Sequence, residues 1–213
     1  MHSAAILAGG QATRFSGRDK GALIVDGRTI RDRQLAVLSR VTDDVMIVGG
    51  PERAAPRQPN VARQNSVARP FQGRDVADLN AGCGPLGGVH SALAHARHDA
   101  VFVIACDMPF VTERLVRYLL DLAGAADVVV PRTARGYHPL CAVYTRACIE
   151  PIERRLNRRT LKMVDLLADV RTQVVTDDEI GEFGDVDRLL ANVNTPSEYA
   201  ALEVSGAFQN HKL

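Results

Sequence analysis

The stretch "AAILAGGQATRFSGRDK", residues 4–20, decides the fold. Residues 4–7 form a short apolar run with no polar position, as expected of a strand covered on both faces. The run breaks at once into Gly9 and Gly10, whose missing side chains let the chain turn. Arg14, Arg18 and Lys20 then set positive charge beside the opening. A buried strand running into small and cationic residues brings backbone N–H groups and cations together, which suits phosphate oxygens. An ordinary strand-to-helix loop with solvated cations is the alternative reading. The P-loop pattern is not met, because Gly21 follows Lys20 where that pattern has Ser or Thr.

Similar apolar runs recur at 45–48, 101–105 and 128–130. Between them the spacing turns helical. Residues 30–41 carry Leu35, Leu38 and Val41 on one stripe, and residues 86–96 carry Leu86, Val89, Leu93 and Ala96. Thr112 is placed to cap a helix whose inner face holds Leu115, Val116, Leu119 and Leu120. Alternating strands and helices predict an α/β fold, an open and mostly parallel sheet with helices on both faces. The length of 213 residues fits one domain over 1–213. Residues 51–81, rich in Pro, Arg, Gln and Asn, read as a long surface loop with a short strand near 76–79. Such a loop either borders a site or is disordered. "NTPSEYAAL" reads as a helix start, with Thr195 as cap, Pro196 in the first position and Glu198 closing a capping box.

Apolar residues make up 46% and charged residues 24% of the chain, the balance of a soluble globular protein. A net charge of +1 supplies no global basic field, so nucleic acid is not expected as a partner. No apolar run approaches the ~20 residues of a membrane span. The N-terminus has no basic segment before a long apolar core, and a cytoplasmic location is expected. Four cysteines occur without C-x-x-C spacing, and are expected as buried or partly buried reduced thiols. His90, His95 and His98 are expected at the surface. His95 and His98 would share a helix face, but no acid or Cys completes a metal set.

In an open parallel sheet, ligands bind outside the carboxyl ends of the strands. Three segments converge there: the Gly-rich loop, "CDMPF" at 106–110 and "ANVNTP" at 191–196. Asp107 follows a buried strand and can hold Mg²⁺ if phosphates and water complete the octahedron; a turn or cap aspartate is the alternative. Asn192 and Asn194 alternate onto one face, offering amide oxygens to a metal or a substrate phosphate, or serving the turn ahead of the helix. In "GCGPLGG", 82–88, Gly87 and Gly88 stand at a helix start, where outward N–H groups and the dipole favour anions and small residues admit a flat base. Asp78 just upstream can accept the N1–H and N2–H of guanine or the ribose hydroxyls, or be a solvated loop acid. His138, in "YHPL", is expected to border the site.

"LAGGQATRFSGRDKGALIVDGRTI", "GPLGGVHSAL", "CDMPF", "HPLCAVY" and "NVNTPSEYAAL" stand in the order found in molybdenum cofactor guanylyltransferases, and the chain resembles that family over nearly its whole length. "NRRTLKMVDLL" at 157–167 resembles the family segment that follows "HP". The resemblance implies a Rossmann-like, nucleotide-diphospho-sugar transferase-like fold that binds GTP and Mg²⁺ and adds GMP to the molybdopterin-bound molybdenum cofactor. By motif it places Leu7, Ala8 and Gly9 along the nucleotide, with Gly10 and Arg14 near the triphosphate. Lys20 would bind phosphate, and Arg14, Lys20 and Asp107 would carry the catalysis. Asp78, Gly84, Pro85 and Leu86 would contact the nucleotide, Asp107 would hold Mg²⁺, and Asn192, Asn194 and His138 would face the acceptor. Ser16-Gly17 departs from the two glycines usual in the family loop. Transient contact with cofactor-biosynthesis proteins or molybdoenzymes, and a monomer or weak oligomer, are expected. A sister enzyme using another base or acceptor, such as a molybdopterin cytidylyltransferase, and a non-catalytic nucleotide-binding delivery protein are the rival readings.

Overall fold

In the computed structural model, which describes residues 1–8, 20–49 and 73–193, the first apolar run forms β1 (Ser3–Leu7), buried throughout. A 3-10 turn at Lys20–Ala22 leads into a hairpin, β2 (Ile24–Val25) and β3 (Arg28–Thr29). Its two-residue turn, Asp26-Gly27, has φ of 49° and 75°, the left-handed pair that Asp-Gly accepts most readily. Thr29 caps α1 (Ile30–Leu38), its hydroxyl accepting from the Asp32 N–H at 3.0 Å. Next come β4 (Asp44–Val48), β5 (Arg74–Val76), α2 (Gly84–His95), β6 (Ala100–Ala105) and α3 (Glu113–Asp121). The chain continues through β7 (Val128–Thr133), β8 (Gly136–Tyr137), β9 (Cys141–Thr145), α4 (Ile149–Asn157), α5 (Met163–Leu166), β10 (Thr172–Val175), α6 (Asp177–Gly181) and α7 (Val186–Leu189).

The sheet runs β10-β7-β9-β6-β1-β4-β5, with β8 paired to β7. β1 lies parallel to both β4 and β6, Leu7 standing opposite Val48 on one side and Ala105 on the other. From β1 the chain first builds outward through β4 and β5, then returns to lay β6 on the other flank. That reversal opens a crevice at the carboxyl ends of β1 and β6. β9 runs antiparallel between β6 and β7, so the sheet is mixed. The four strands expected from apolar runs are present. The expected strand at 76–79 is displaced to Arg74–Val76, and the helix expected over 30–41 ends at Leu38.

The two faces of the sheet carry separate cores. Ile6, Leu35, Leu38, Phe102, Ile104, Leu115 and Leu119 pack where α1 and α3 cover one face. Leu7, Met46, Leu86, Val89, Leu93, Val103, Tyr144 and Ile152 pack under α2 and α4 on the other. Cys141 and Cys148 are buried and Cys83 and Cys106 half-buried, as expected. The histidines depart from the surface positions expected. His90 is half-buried with Nδ1 2.9 Å from the Asn80 amide nitrogen, His95 Nε2 is buried, and His98 lies beyond the end of α2 rather than sharing its face.

At the end of the sheet away from the crevice, Asp44 is buried with its side chain fully enclosed. Its Oδ2 accepts from Ser3 Oγ at 2.6 Å and from the Arg97 N–H at 2.9 Å, and its Oδ1 from Arg74 Nε at 2.9 Å. Burial pushes this carboxyl up, but the donors from Arg74, Ser3 and Arg97 outweigh it and hold the pKa at about 2.

Candidate active site

Asp107 sits two residues beyond β6 at the crevice, 9% exposed. The Met108 N–H donates to the Ala105 carbonyl at 3.3 Å, closing a four-residue turn with Asp107 at its third position. The turn is fastened from outside. The Val193 N–H donates to the Asp107 carbonyl at 2.8 Å, and Asn192 Nδ2 lies 3.4 Å from Asp107 Oδ1. Asn192 therefore meets the carboxylate through its amide nitrogen. Val193 is buried beside Val25, Ile30 and Phe110, which anchors the segment that carries Asn192. "CDMPF" and residues 191–193 thus come together at the crevice.

Two residues that sequence reasoning missed hold the same turn from α1. Gln34 Nε2 donates to the Ala105 carbonyl at 2.8 Å and to the Met108 carbonyl at 3.0 Å. Arg33 Nε donates to the Pro109 carbonyl at 3.1 Å. The signal for Gln34 was present in the sequence. Ile30, Gln34 and Leu38 fall at i, i+4 and i+8, and all three are buried, so a polar residue stands in an apolar stripe.

On the other side of β1, the 76–84 segment leads into the N-terminus of α2. Asp78 Oδ1 accepts from the Asn80 N–H at 3.0 Å and lies 3.1 Å from Ser91 Oγ, so this acid, half-buried, shapes its own loop. Gly82 and Gly84 have φ of 83° and 62°, which favours glycine at both. Pro85 stands in the first turn, and Cys83 at the cap position makes no side-chain capping bond to α2. Gly87 and Gly88 are buried and serve packing, a different role from the anion-facing one expected. A Cβ on Gly87 would stand 2.8 Å from the Asn80 carbonyl, and one on Gly88 3.2 Å from Leu7 Cδ1. Leu7 and Leu86 are likewise in the core, at 7% and 0% exposure, so only their backbone can face a nucleotide. The Ala8 N–H is bonded to the Val48 carbonyl at 2.9 Å.

His138 lies two residues before Leu140, which pairs with the end of β6. The Ala105 N–H donates to the Leu140 carbonyl at 2.9 Å, which lays the 138–140 turn along the end of β6. His138 Nε2 lies 2.9 Å from Thr133 Oγ1. Burial lowers its pKa, Arg135 lowers it further, and Asp177 opposes them in part. Gly9, Gly10, Arg14 and Asn194 lie outside the described residues, as does the helix expected after Thr195, and the side chain of Lys20 is not described. A groove of about 650 Å³ lies on the other side of the Pro109–Glu113 segment, between α1 and α7. Arg188 stacks 4.3 Å over Phe110 there, but Asp107, Asp78, Asn192 and His138 do not line it.

A divalent cation at this crevice needs hard oxygen donors, and Asp107 supplies a carboxylate held in one place. Among the described residues no group of three or more His, Cys, Asp or Glu could hold a metal. A cation there would take its remaining ligands from phosphates and water, the usual condition of Mg²⁺ in nucleotide enzymes.

A crevice at the switch point between parallel strands, with an aspartate after the second of them, is the frame of a nucleotide-binding α/β protein, and the family model makes the class a nucleotidyltransferase. The chain belongs to the family of MobA-like NTP transferase domains, which match residues 4–174. Its relatives are narrower in name. A probable molybdenum cofactor guanylyltransferase of Pelotomaculum thermopropionicum is 36% identical, covering 93% of this chain and 90% of that protein. A molybdenum cofactor guanylyltransferase of Desulfosudis oleivorans is 31% identical, covering 94% and 93%. The crystal structure of molybdopterin-guanine dinucleotide biosynthesis protein A from Archaeoglobus fulgidus shares the fold, with a TM-score of 0.77 at 22% identity over 97% of this chain and 99% of that one.

Proposed function

We propose that this protein transfers GMP from GTP to the molybdopterin-bound molybdenum cofactor, giving the guanine dinucleotide cofactor and pyrophosphate. Identity of 36% over nearly the full length to a protein of that name carries the reading. The placement of Asp107 at the crevice supports it. An oxygen of the molybdopterin phosphate attacks the α-phosphorus of GTP, a new P–O–P bond forms, and the bond to the β-phosphate breaks. The attacking phosphate is ionised near neutral pH, so no strong general base is required. The barrier is repulsion between anions and charge growing on the leaving pyrophosphate.

Mg²⁺, when bound, neutralises phosphate charge. Asp107 would hold it, with Asn192 beside the carboxylate. Arg14, Lys20 and the N–H groups of the Gly9–Gly10 loop would hold the triphosphate. Asp78 and the backbone of Gly84, Pro85 and Leu86 would border the base, with Leu7 and Ala8 contributing main chain only. Asn192, Asn194 and His138 would face the acceptor. His138, with its pKa lowered, binds as a neutral hydrogen-bonding group at neutral pH rather than as a cation. In this reading the protein is one domain in the cytoplasm; among the described residues no helix is long and apolar enough to cross a membrane. Purified protein given GTP, Mg²⁺ and molybdopterin-bound molybdenum should release pyrophosphate in proportion to dinucleotide formed. GTP binding without pyrophosphate release, from folded protein with competent acceptor, would favour a delivery protein instead.

A further inference from the structure

The turn that carries Asp107 is held at both ends by one side chain. The Gln34 amide reaches the carbonyls of Ala105 and Met108, at 2.8 and 3.0 Å, the first and last residues of that turn. Both acceptors are carbonyl oxygens, so the amide can face them only with its NH₂. The cost of this orientation is visible: Gln34 Oε1 is buried with no hydrogen-bond partner among the described residues. An unsatisfied buried acceptor destabilises the fold, and an apolar residue at this stripe position would avoid it. Beside it on α1, Arg33 takes the Pro109 carbonyl at 3.1 Å and also reaches the Val25 carbonyl and Asp26, both at 3.3 Å. The Asp107 carbonyl is taken by Val193. The carbonyls of residues 105, 107, 108 and 109 therefore each have a donor from a distant part of the chain.

We infer that Gln34 and Arg33 are positioning residues for the metal-binding carboxylate, acting through the backbone of the 105–109 turn rather than through contact with substrate. The inference rests on the assignment of the divalent cation to Asp107. Outer residues that fix a metal ligand typically govern metal affinity by 10–100-fold. Gln34 bridges both ends of the turn and carries the larger share; Arg33 holds one carbonyl beyond it. The same α1 is preceded by the β2–β3 hairpin and the Lys20–Ala22 turn. Arg33 bonds to that hairpin as well as to Pro109, so the Asp107 turn and the β2–β3 hairpin are fastened to one helix.

The test is Mn²⁺ binding to the full-length protein in the presence of GTP and without acceptor, followed by the electron paramagnetic resonance of free Mn²⁺. Gln34→Met keeps the side-chain length and removes the donors, and it should weaken Mn²⁺ binding by about 10–100-fold. Arg33→Met, at a half-buried position, should weaken it by a smaller factor, with the protein folded. Leu119→Ala, in the core under α3, should lower the melting temperature and leave Mn²⁺ affinity unchanged, separating positioning from general destabilisation. If Gln34→Met does not fold, Arg33→Met decides. Mn²⁺ affinity within twofold of wild type in the folded variants, while Asp107→Asn loses it, would overturn the inference and leave the metal assignment standing. Wild-type Mn²⁺ affinity in Asp107→Asn would instead remove the metal assignment and the inference with it.

Discussion

The backbone N–H of Val193 donates to the carbonyl oxygen of Asp107 at 2.8 Å, joining the turn after β6 to a segment near the far end of the described chain. The bond has two supports. Val193 is fully buried beside Phe110, and Asn192 next to it turns its amide toward the Asp107 carboxylate at 3.4 Å. The side chain proposed to hold the cation is thereby fixed through main chain, which holds it more closely than a surface contact between long side chains would.

Asp107→Asn is nearly isosteric and should preserve the fold. It removes the charge that would hold the cation. Turnover should fall by about 10²–10³-fold or more, the scale of losing one group that stabilises transition-state charge. GTP turnover within tenfold of wild type, with an unchanged melting temperature, would show that Asp107 does not carry the metal.

Gly87 and Gly88 should respond differently to alanine. Alanine gains about 1 kcal/mol over glycine in a helix interior. At Gly88 the new Cβ meets the end of the Leu7 side chain at 3.2 Å, which can give way, and the net effect should lie within about 1 kcal/mol. At Gly87 it meets the Asn80 carbonyl at 2.8 Å, where backbone must move. Gly87→Ala should therefore destabilise by about 1–3 kcal/mol before the helix gain and raise KM for GTP by shifting the 78–84 loop. Urea unfolding of the two variants compares them directly. Equal stabilities would refute the close packing of α2.

Much of this could be read from residue order, and the exceptions have physical causes. β1, β4, β6 and β7 announce themselves because strands buried on both faces need unbroken apolar runs. β5 is three residues long, Arg-Asp-Val, and is defined by main-chain pairing to β4 rather than by its side chains. β9 is apolar, but its antiparallel insertion between β6 and β7 depends on the β8 hairpin, which periodicity does not encode. Leu7 and Leu86 belong to the motifs expected to line the nucleotide, yet their side chains are core; a motif marks where a backbone must be, not what each side chain touches. The Val193 to Asp107 bond is long-range and leaves no local trace. Gln34 did leave one, at a helix spacing shared with Ile30 and Leu38.

The Asp44 network makes stability depend on pH. Its folded pKa of about 2 lies below the ordinary aspartate value of 3.8, so its contribution is fully present above that unfolded value and lost as pH falls toward 2. The shift corresponds to about 2 kcal/mol for this enclosed side chain. Urea unfolding between pH 6 and pH 2 should show that loss in the wild type, and Asp44→Asn should flatten it. An identical pH profile in the variant would contradict the network.

His138 should titrate below its ordinary value of 6.5, because burial and then Arg135 disfavour its charged form. Its Cε1 proton, followed by NMR, should show a midpoint under 6.5, and adding the acceptor should not require the imidazolium. A midpoint at or above 6.5 would contradict the burial and the Arg135 field placed on His138.

The most direct measurement is pyrophosphate release by the purified protein with Mg²⁺ and molybdopterin-bound molybdenum, comparing GTP, CTP, ATP and UTP. Release with GTP, matched by formation of the guanine dinucleotide and abolished in Asp107→Asn, is the result expected. Release with CTP in place of GTP would keep the fold and the crevice but contradict the proposed substrate, and no release with any of the four would contradict the proposed reaction.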